Sequence, residues 1–239
     1  MEYRILHRPS FSILEVVIEP GESIQAEAGA MVYMDPSIKI TTGTGGGFVN
    51  AIKRKFMGGE SFFINKFTAT ASPGKIGLAP SYFGDIKAVN LLPGEIFYAQ
   101  KGTFLAGTEC LKIDTEYKGT KFLIGGEGLF LLKFSCSTLK DLKNTGGTLS
   151  ETLFLSSFGG IVEKEIRGGE FIVDTSHLVG FKGDLEVKIK SSGGIKTTLF
   201  GKEGLVMEFK GSGVIYIQTR SMSEFLKWIN SYMEKIRRR

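Results

Sequence analysis

The sequence predicts an all-β fold made of three tandem β-repeats with pseudo-threefold symmetry, followed by one C-terminal amphipathic helix. Three observations predict it. The 239 residues include 32 glycines, about twice the usual share, scattered between short apolar runs. This pattern is typical of short strands joined by tight turns. An isoleucine followed eight residues later by Gly-Glu occurs three times, and the last residues place apolar side chains at helical spacing.

The repeats begin at Ile13, Ile86 and Ile161, which lie 73 and 75 residues apart. Units of this kind bury little apolar surface alone, so we expect them to share a core around a pseudo-threefold axis within one domain, 1–239. The predicted repeats are 11–86, 87–160 and 161–221, and 222–239 forms the helix.

Turn residues divide each repeat into two halves. Pro20-Gly21 and Pro93-Gly94 suit type II turns, because proline presets the first central φ and glycine accepts the positive second one. The third unit aligns at Gly169. Six glutamates recur at these turns and are interpreted as solvated turn carboxylates spread around the molecule, not as an acidic site. They are Glu22, Glu60, Glu95, Glu127, Glu170 and Glu203.

Strand and helix periods are clearest near the C-terminus. Residues 185–190 alternate apolar and charged side chains, turn at 192–194 and return to Phe200, which predicts a hairpin. Ser221 followed by Glu224 is a capping-box pattern that begins the final helix. Its apolar face comprises Met222, Phe225, Leu226, Ile229, Tyr232, Met233 and Ile236. We expect the helix to dock on the β-body through Phe225, Leu226, Ile229 and Met233.

Composition narrows the class of protein. The net charge of +5 permits an acidic partner without requiring one. Cys110 and Cys136 lie in apolar stretches and are interpreted as reduced core residues. No apolar run approaches the length of a membrane-spanning helix, and the N-terminus lacks the layout of a signal peptide. These features predict a cytoplasmic protein, at most peripheral to the membrane.

Residue patterns that would carry catalysis or bind metal are missing from the sequence. His7 and His177 are its two histidines and lie far apart, and no Cys-x-x-Cys or Gly-x-Ser-x-Gly occurs. The sequence therefore predicts no cofactor, no metal and no enzyme activity.

One basic segment is the candidate contact site. Phe48, Ile52 and Phe56 follow one side of a short amphipathic stretch, next to Lys53, Arg54 and Lys55. If it is exposed, the segment would bind anionic lipid or an acidic partner. If it is buried, it would plug the centre of the ring of repeats. The sequence leaves both interpretations open.

Several motifs together resemble the mitochondrial-biogenesis (altered inheritance of mitochondria) family over about residues 10–221. They lie at 20–34, 58–63, 74–80, 84–86, 125–129, 173–179 and 211–220. The resemblance implies a fold similar to that of the tryptophan RNA-binding attenuation protein, with three β-units arranged as a ring in one chain. Eukaryotic members support the organisation of the mitochondrial inner membrane, and the family offers no catalytic residues to carry over. The chain departs from the family at 136–150, where a polar loop replaces a Gly-x-Gly turn.

Taken together, the sequence favours a non-enzymatic scaffold or binding module that contacts an unknown protein or an anionic membrane surface. Two alternatives remain. One is nucleic-acid binding by analogy with the attenuation protein, although fold alone does not transfer function. The other is an enzyme of unknown type. Association of the chain into a homo-oligomer is compatible with all three.

Overall fold

The computed structural model describes residues 1–42, 63–118, 129–136, 150–191 and 205–237. The strands are β1 (Glu2–Leu6), β2 (Ile13–Ile18), β3 (Ser23–Glu27), β4 (Met31–Met34), β5 (Ile38–Thr42), β6 (Ile64–Ala69), β7 (Gly74–Leu78), β8 (Ile86–Leu91), β9 (Ile96–Gln100), β10 (Phe104–Thr108), β11 (Lys112–Lys118), β12 (Leu129–Ser135), β13 (Glu151–Ser156), β14 (Ile161–Asp174), β15 (Leu178–Ser191) and β16 (Leu205–Gln218). A 3-10 turn, Thr175–His177, precedes β15, and the helix α1 spans Met222–Arg237. The predicted all-β class with a C-terminal helix is confirmed.

The strands form three sheets with antiparallel pairing. Their orders are β1-β2-β7-β4, then β5-β6-β3-β10-β13-β8, then β11-β12-β9-β15-β16-β14. Among the described residues, one isolated parallel bridge, Gly84 with Gly159, joins the segments that precede β8 and β14. The last two sheets each combine strands from neighbouring repeats, so the predicted repeats are not separate folding units.

The same pairing scheme recurs in each predicted repeat. We letter six strand positions a to f in chain order: β2 to β7 in the first repeat and β8 to β13 in the second. In the third repeat, β14 supplies a and b, β15 supplies c and d, and β16 supplies e and f. Position a pairs with f, f with c, b with e and e with d in all three. Superposition of the units about a threefold axis stays a prediction.

The first two predicted turns have type II geometry. Gly21 and Gly94 adopt φ of 84° and 88°, a region that favours glycine. In each turn the residue after the glycine donates its backbone N–H, over 2.9 Å, to the carbonyl three residues earlier. The residue after the glycine is a glutamate, Glu22 or Glu95. Its side-chain carboxylate accepts a hydrogen bond from the backbone N–H of the residue three positions earlier, at 3.1 Å for Glu22 and 2.9 Å for Glu95. These carboxylates therefore stabilise their own turns.

The third turn is displaced by one residue from the sequence alignment. Gly168, not Gly169, has a positive φ, of 69°, and the ladder of β14 with β16 shifts register there. The shift places Phe171 opposite Phe209. That pair corresponds to Ile24 opposite Phe67 and to Phe97 opposite Phe134 in the other repeats. The bulge between Arg167 and Gly169 accommodates the one-residue shift. It keeps the apolar side chain of Phe171, in the b part of β14, packed against the core.

Three buried clusters form the core of the described part of the chain, and each contains phenylalanine. Phe67 and Phe154 lie in the first, Phe104 and Phe134 in the second, and Phe209 in the third. The rings of Phe104 and Phe134 stack with centroids 5.3 Å apart. Burial of each such side chain stabilises the fold by about 1.5–3 kcal/mol before entropy is counted.

The two cysteines differ in environment. Both are free, and Cys136 is buried as predicted, but Cys110 is exposed, so the prediction was wrong for Cys110. It lies in the turn after β10, where Leu111 donates its N–H to the Thr108 carbonyl over 3.1 Å. That turn directs Leu111 into the core in place of the cysteine. The predicted hairpin turn at 192–194 lies outside the described residues.

Candidate functional site

The start of α1 is fixed by its cap. Ser221 is buried, and its Oγ accepts a hydrogen bond from the backbone N–H of Glu224 at 3.4 Å. This is the N-cap contact that the sequence predicts, and it satisfies one of the donors left free at a helix start. Ser221 follows directly on the end of β16 through Thr219 and Arg220, so the cap attaches the helix to the third sheet.

An aromatic ladder joins the β-body to the helix. The ring of Phe225 lies 5.7 Å from Phe83 in a perpendicular arrangement and 5.2 Å from Phe158. Trp228 stacks on Phe225 at 6.0 Å, and Tyr232 lies 5.2 Å from Trp228. Aromatic pairs in such geometries add about 0.5–1.5 kcal/mol each beyond area burial. The ladder therefore starts in the body and continues outward along one side of α1.

The base of this ladder borders a groove of about 530 Å³. Its walls include Phe83, Phe158, Phe225 and Trp228, with His177 and Arg220 at the polar side. The His177 ring donates from Nδ1 to the Gln218 carbonyl over 2.8 Å. This hydrogen bond occupies one of the two ring nitrogens of His177. The surface that the groove presents to a ligand is therefore mainly aromatic.

Most of α1 extends beyond the body. Phe225 is half-buried, as are Met222 and Ile229, but no side chain of the helix is fully buried. The predicted docking is therefore wrong for Leu226 and Met233, which are 50% and 48% exposed. Beyond Ile229 every described residue of the helix is exposed, so the body covers at most the first half of α1. The large apolar side chains it leaves exposed are Leu226, Trp228, Tyr232, Met233 and Ile236.

The charges of α1 are unevenly placed. Glu224 near the start pairs with Lys227 at 2.6 Å, and the last turn carries Lys235 and Arg237. The Lys235 ammonium lies 5.5 Å from the centre of the Tyr232 ring. Residues 222–239 contain five basic and two acidic side chains, a net charge of +3. The exposed apolar face is thus flanked by basic charge, densest at the far end.

An ion pair between the half-exposed Arg8 and a buried carboxylate holds the loop that carries Phe83. Asp85 is 4% exposed at its side chain and accepts two bonds of 2.8 Å from the Arg8 guanidinium. It also accepts bonds from the Ser12 hydroxyl and the Ile86 N–H. Burial by itself would raise the pKa of Asp85, but these hydrogen bonds outweigh it and lower the pKa below its usual value. The carboxylate therefore stays ionised and fixes the loop.

Glycines bring the two aromatic loops together. Gly84 and Gly159 form the parallel bridge, and a side chain at Gly84 would overlap the Ser157 carbonyl oxygen. The Gln218 side chain accepts from the Phe158 N–H at 2.9 Å. The sequence shows Phe-Gly at 83–84 and again at 158–159 as a repeat signal, but it does not reveal that both phenylalanines meet under the helix. The sequence analysis also did not identify Trp228, the single tryptophan of the chain, as a candidate site residue.

The basic segment that the sequence singles out lies outside the described residues. This applies to all its members, Phe48, Ile52, Lys53, Arg54, Lys55 and Phe56. Both interpretations of the segment, surface contact and plug, stay predictions. Within the described part of the chain, no group of three or more His, Cys, Asp or Glu side chains could hold a metal ion. No described helix is long and apolar enough to cross a membrane.

The fold and this site define a class: an all-β protein whose last strand is followed by an exposed amphipathic helix. The chain belongs to the mitochondrial biogenesis AIM24 family, whose profile matches residues 3–220. This confirms the resemblance seen in the sequence motifs. The match ends just before α1 begins.

Two relatives come from Streptococcus pyogenes. An uncharacterised protein of the serotype M6 strain is 32% identical over 243 residues, which cover 98% of this chain and 91% of the relative. The crystal structure of a further protein of that species has a TM-score of 0.75 and 29% identity, over 97% of this chain and 99% of the other. Both alignments extend to nearly the full chain, so they support the whole fold.

Proposed function

We propose that this protein is a non-enzymatic binding module that docks on an anionic membrane surface through α1. One observation carries the proposal: α1 exposes five large apolar side chains, Leu226, Trp228, Tyr232, Met233 and Ile236, and has basic residues in its last turn. An amphipathic helix of this composition lies in the plane of a membrane interface, with its apolar side among the acyl chains. Sixteen residues give a helix about 24 Å long, which suits an in-plane position.

The energetics favour the contact through two separate terms. Trp228, Tyr232 and Ile236 are 58%, 54% and 65% exposed, so insertion would remove a large apolar area from water. Tryptophan and tyrosine also prefer the level of the lipid headgroups, since their rings are apolar and their polar atoms stay hydrated. Each basic residue near an anionic surface adds about 1 kcal/mol. The net charge of +3 on residues 222–239 therefore favours anionic over neutral lipid.

The body supplies an anchor for this arm. The Ser221 cap and the contacts of Phe225 with Phe83 and Phe158 hold the first turn in a defined direction. A helix that is held at one end loses less conformational freedom on binding than a free peptide does. The β-body would then be carried on the membrane as a scaffold.

The test is co-sedimentation of the full-length protein with phosphatidylserine-containing vesicles and with pure phosphatidylcholine vesicles. We expect binding to the anionic vesicles, and we expect Trp228→Glu to abolish it. Leu92→Glu is the matched control, because Leu92 is 57% exposed, close to the 58% of Trp228, but lies in a turn of the β-body. Circular dichroism of each variant shows whether the fold is kept.

The outcomes separate this proposal from the other interpretations. Absence of binding to anionic vesicles, or equal binding by Trp228→Glu and the unaltered protein, would refute it. The triple variant Lys53→Glu/Arg54→Glu/Lys55→Glu tests the segment predicted from the sequence. If that variant alone lost binding while Trp228→Glu kept it, the contact site would lie at residues 48–56 and not on α1.

A further inference from the structure

Neighbouring repeats are joined by one kind of strand pairing. Position b of the first repeat, β3, pairs with position c of the second, β10, and position b of the second, β9, pairs with position c of the third, β15. Each junction consists of three antiparallel residue pairs. These two junctions build the second and third sheets, so b–c pairing is the contact that joins neighbouring repeats within a sheet.

The two junctions share one register. Ala26 lies opposite Ala106 in the first, and Ala99 lies opposite Gly180 in the second. In both junctions, the residue from position c, Ala106 or Gly180, comes directly after a bulge in the pairing of that strand with position f. The next pair in the second junction is Tyr98 with Phe181, whose rings stack 5.2 Å apart.

A third junction of this kind is not formed among the described residues. Strand c of the first repeat, β4, pairs there only with β7, and the b part of β14, Gly169–Asp174, pairs there only with β16. Both edges expose apolar side chains: Val32 is 58% exposed and Ile172 is 60% exposed. In the part of the chain that the structure describes, one c edge and one b edge are therefore unpaired, at ends of different sheets.

We propose that these two edges pair between copies of the chain, with β4 of one copy against the b part of β14 of a second copy. The bulge in β4 falls between Met31 and Tyr33, so the shared register places Tyr33 opposite Val173 and Met34 opposite Ile172. The second pair is the equivalent of Tyr98 with Phe181, and it is likewise apolar on both sides. Burial of unpaired strand edges is a strong drive to association.

A second copy is the partner that fits both edges at once. Each copy carries one edge of each kind, and the two edges differ, so the contact is heterologous and every copy can bind one neighbour on each side. A junction of three residue pairs is small, so association is expected to depend on protein concentration. Such pairing would extend the b–c contact used twice within the chain to a third place between chains.

Cysteine cross-linking tests the pairing directly. Both preparations carry Cys110→Ser, which removes the exposed native thiol. One preparation also carries Met34→Cys, and the other also carries Ile172→Cys. Opposite residues in an antiparallel pair have Cβ atoms about 4.5–5.5 Å apart, within reach of a short bismaleimide. We expect a product of dimer mass when the preparations are mixed, at least tenfold more than in either alone.

Three results would overturn the proposal. The first is absence of a product in the mixture. The second is equal product from either preparation alone, since that would indicate a symmetric contact. The third is cross-linking within single chains of a Met34→Cys/Ile172→Cys double variant, since that would show that the ring closes on itself.

Sedimentation velocity over a range of concentrations gives an independent readout without any label. Ile172→Lys should remove concentration-dependent association. Val162→Lys is the matched control, because Val162 lies on the same strand and is 49% exposed. Val162 belongs to the a part of β14, which pairs with position f, and the pairing scheme predicts no contact between copies there. A monomer at all concentrations for the unaltered protein, or equal association by Ile172→Lys, would overturn the proposal.

Discussion

The ring of Phe225 meets the ring of Phe83 at 5.7 Å, with an angle of 90° between the two planes. Phe225 belongs to the first turn of α1 and Phe83 to the loop before β8, so this contact joins the helix to the β-body across a long stretch of sequence. The next aromatic residue of the ladder, Trp228, is 58% exposed. Within one turn of the helix, the aromatic side chains therefore change from packed against the body, at Phe225, to mostly exposed, at Trp228.

This change predicts different roles for two neighbouring aromatic residues. Phe225→Ala should lower the free energy of unfolding by about 1–3 kcal/mol, since a half-buried aromatic side chain loses its packing. Trp228→Ala should change it by no more than about 0.5 kcal/mol, as is usual for exposed positions. Urea denaturation of both variants measures the difference. Equal losses would show that α1 packs on the body along its length.

The contact between the two aromatic loops should tolerate no side chain at Gly84. Gly84→Ala should lower the free energy of unfolding by about 2 kcal/mol or more, because the added methyl group would overlap the Ser157 carbonyl oxygen and break the bridge to Gly159. Thermal and urea denaturation measure the loss. Gly169→Ala serves as the control, since its methyl group would meet Ile166 at an ordinary contact distance of 3.7 Å.

The displaced third turn predicts opposite responses from two adjacent glycines. Gly168→Ala should destabilise the protein by about 1–2 kcal/mol, because its φ of 69° is strained for any residue with a Cβ. Gly169→Ala should be neutral or slightly stabilising, since the substitution mainly restricts the unfolded chain. Urea denaturation of the pair decides which glycine holds the turn.

The same turn provides a check on the predicted triplication. In an experimental structure, we expect the three repeats to superpose with Gly168, not Gly169, on Gly21 and Gly94. Unrelated positions for these three glycines would contradict the triplication.

Asp85 should make stability depend on pH in the acidic range. Its pKa is lowered in the folded state, so the unfolded chain binds more protons at low pH and stability rises with pH there. The contribution is present above the ordinary aspartate pKa of about 4 and is lost as the pH falls through the lower folded pKa. Asp85→Asn should therefore be less stable than the unaltered protein at pH 6, and the difference should shrink towards pH 2.5.

A second carboxylate with the same bonding geometry provides the control. Glu165 accepts two bonds of 2.9 Å from Arg167, but this pair is exposed to solvent. Exposed ion pairs contribute little to stability. Glu165→Gln should therefore leave the pH profile close to that of the unaltered protein. A profile for Asp85→Asn that runs parallel to that of the unaltered protein would contradict the role assigned to Asp85.

Local features of this fold were predictable because their causes are local. The turns at Gly21 and Gly94 follow from Pro-Gly, which sets both central φ angles without help from distant residues. The start of α1 follows from Ser221, whose hydroxyl caps the helix from within the same turn. The alternation at 185–190 predicted part of β15 for the same reason.

Features that depend on distant partners were missed or misplaced. Cys110 lies in an apolar stretch, but the turn directs Leu111 inward instead. Gly169 matches the repeat spacing, yet the ladder with β16 inserts a bulge and gives the positive φ to Gly168. At Cys110, the distant Gln25 side chain donates to the Glu109 and Leu111 carbonyls and holds the turn. At Gly169, pairing with a strand far along the chain selects one of two arrangements that the residue types permit.

By itself, the sequence determined the all-β class, the repeat signal, two of the turns and a C-terminal helix with one apolar face. Only the tertiary structure decided where that face lies. Periodicity shows that Leu226 and Met233 share a side of α1, but their burial depends on whether a sheet lies beneath them, and both are exposed in the folded chain. The edges of β4 and β14 that are unpaired among the described residues were decided in the same way, because a strand's lack of a neighbour is a property of the assembled sheets and not of its own residues.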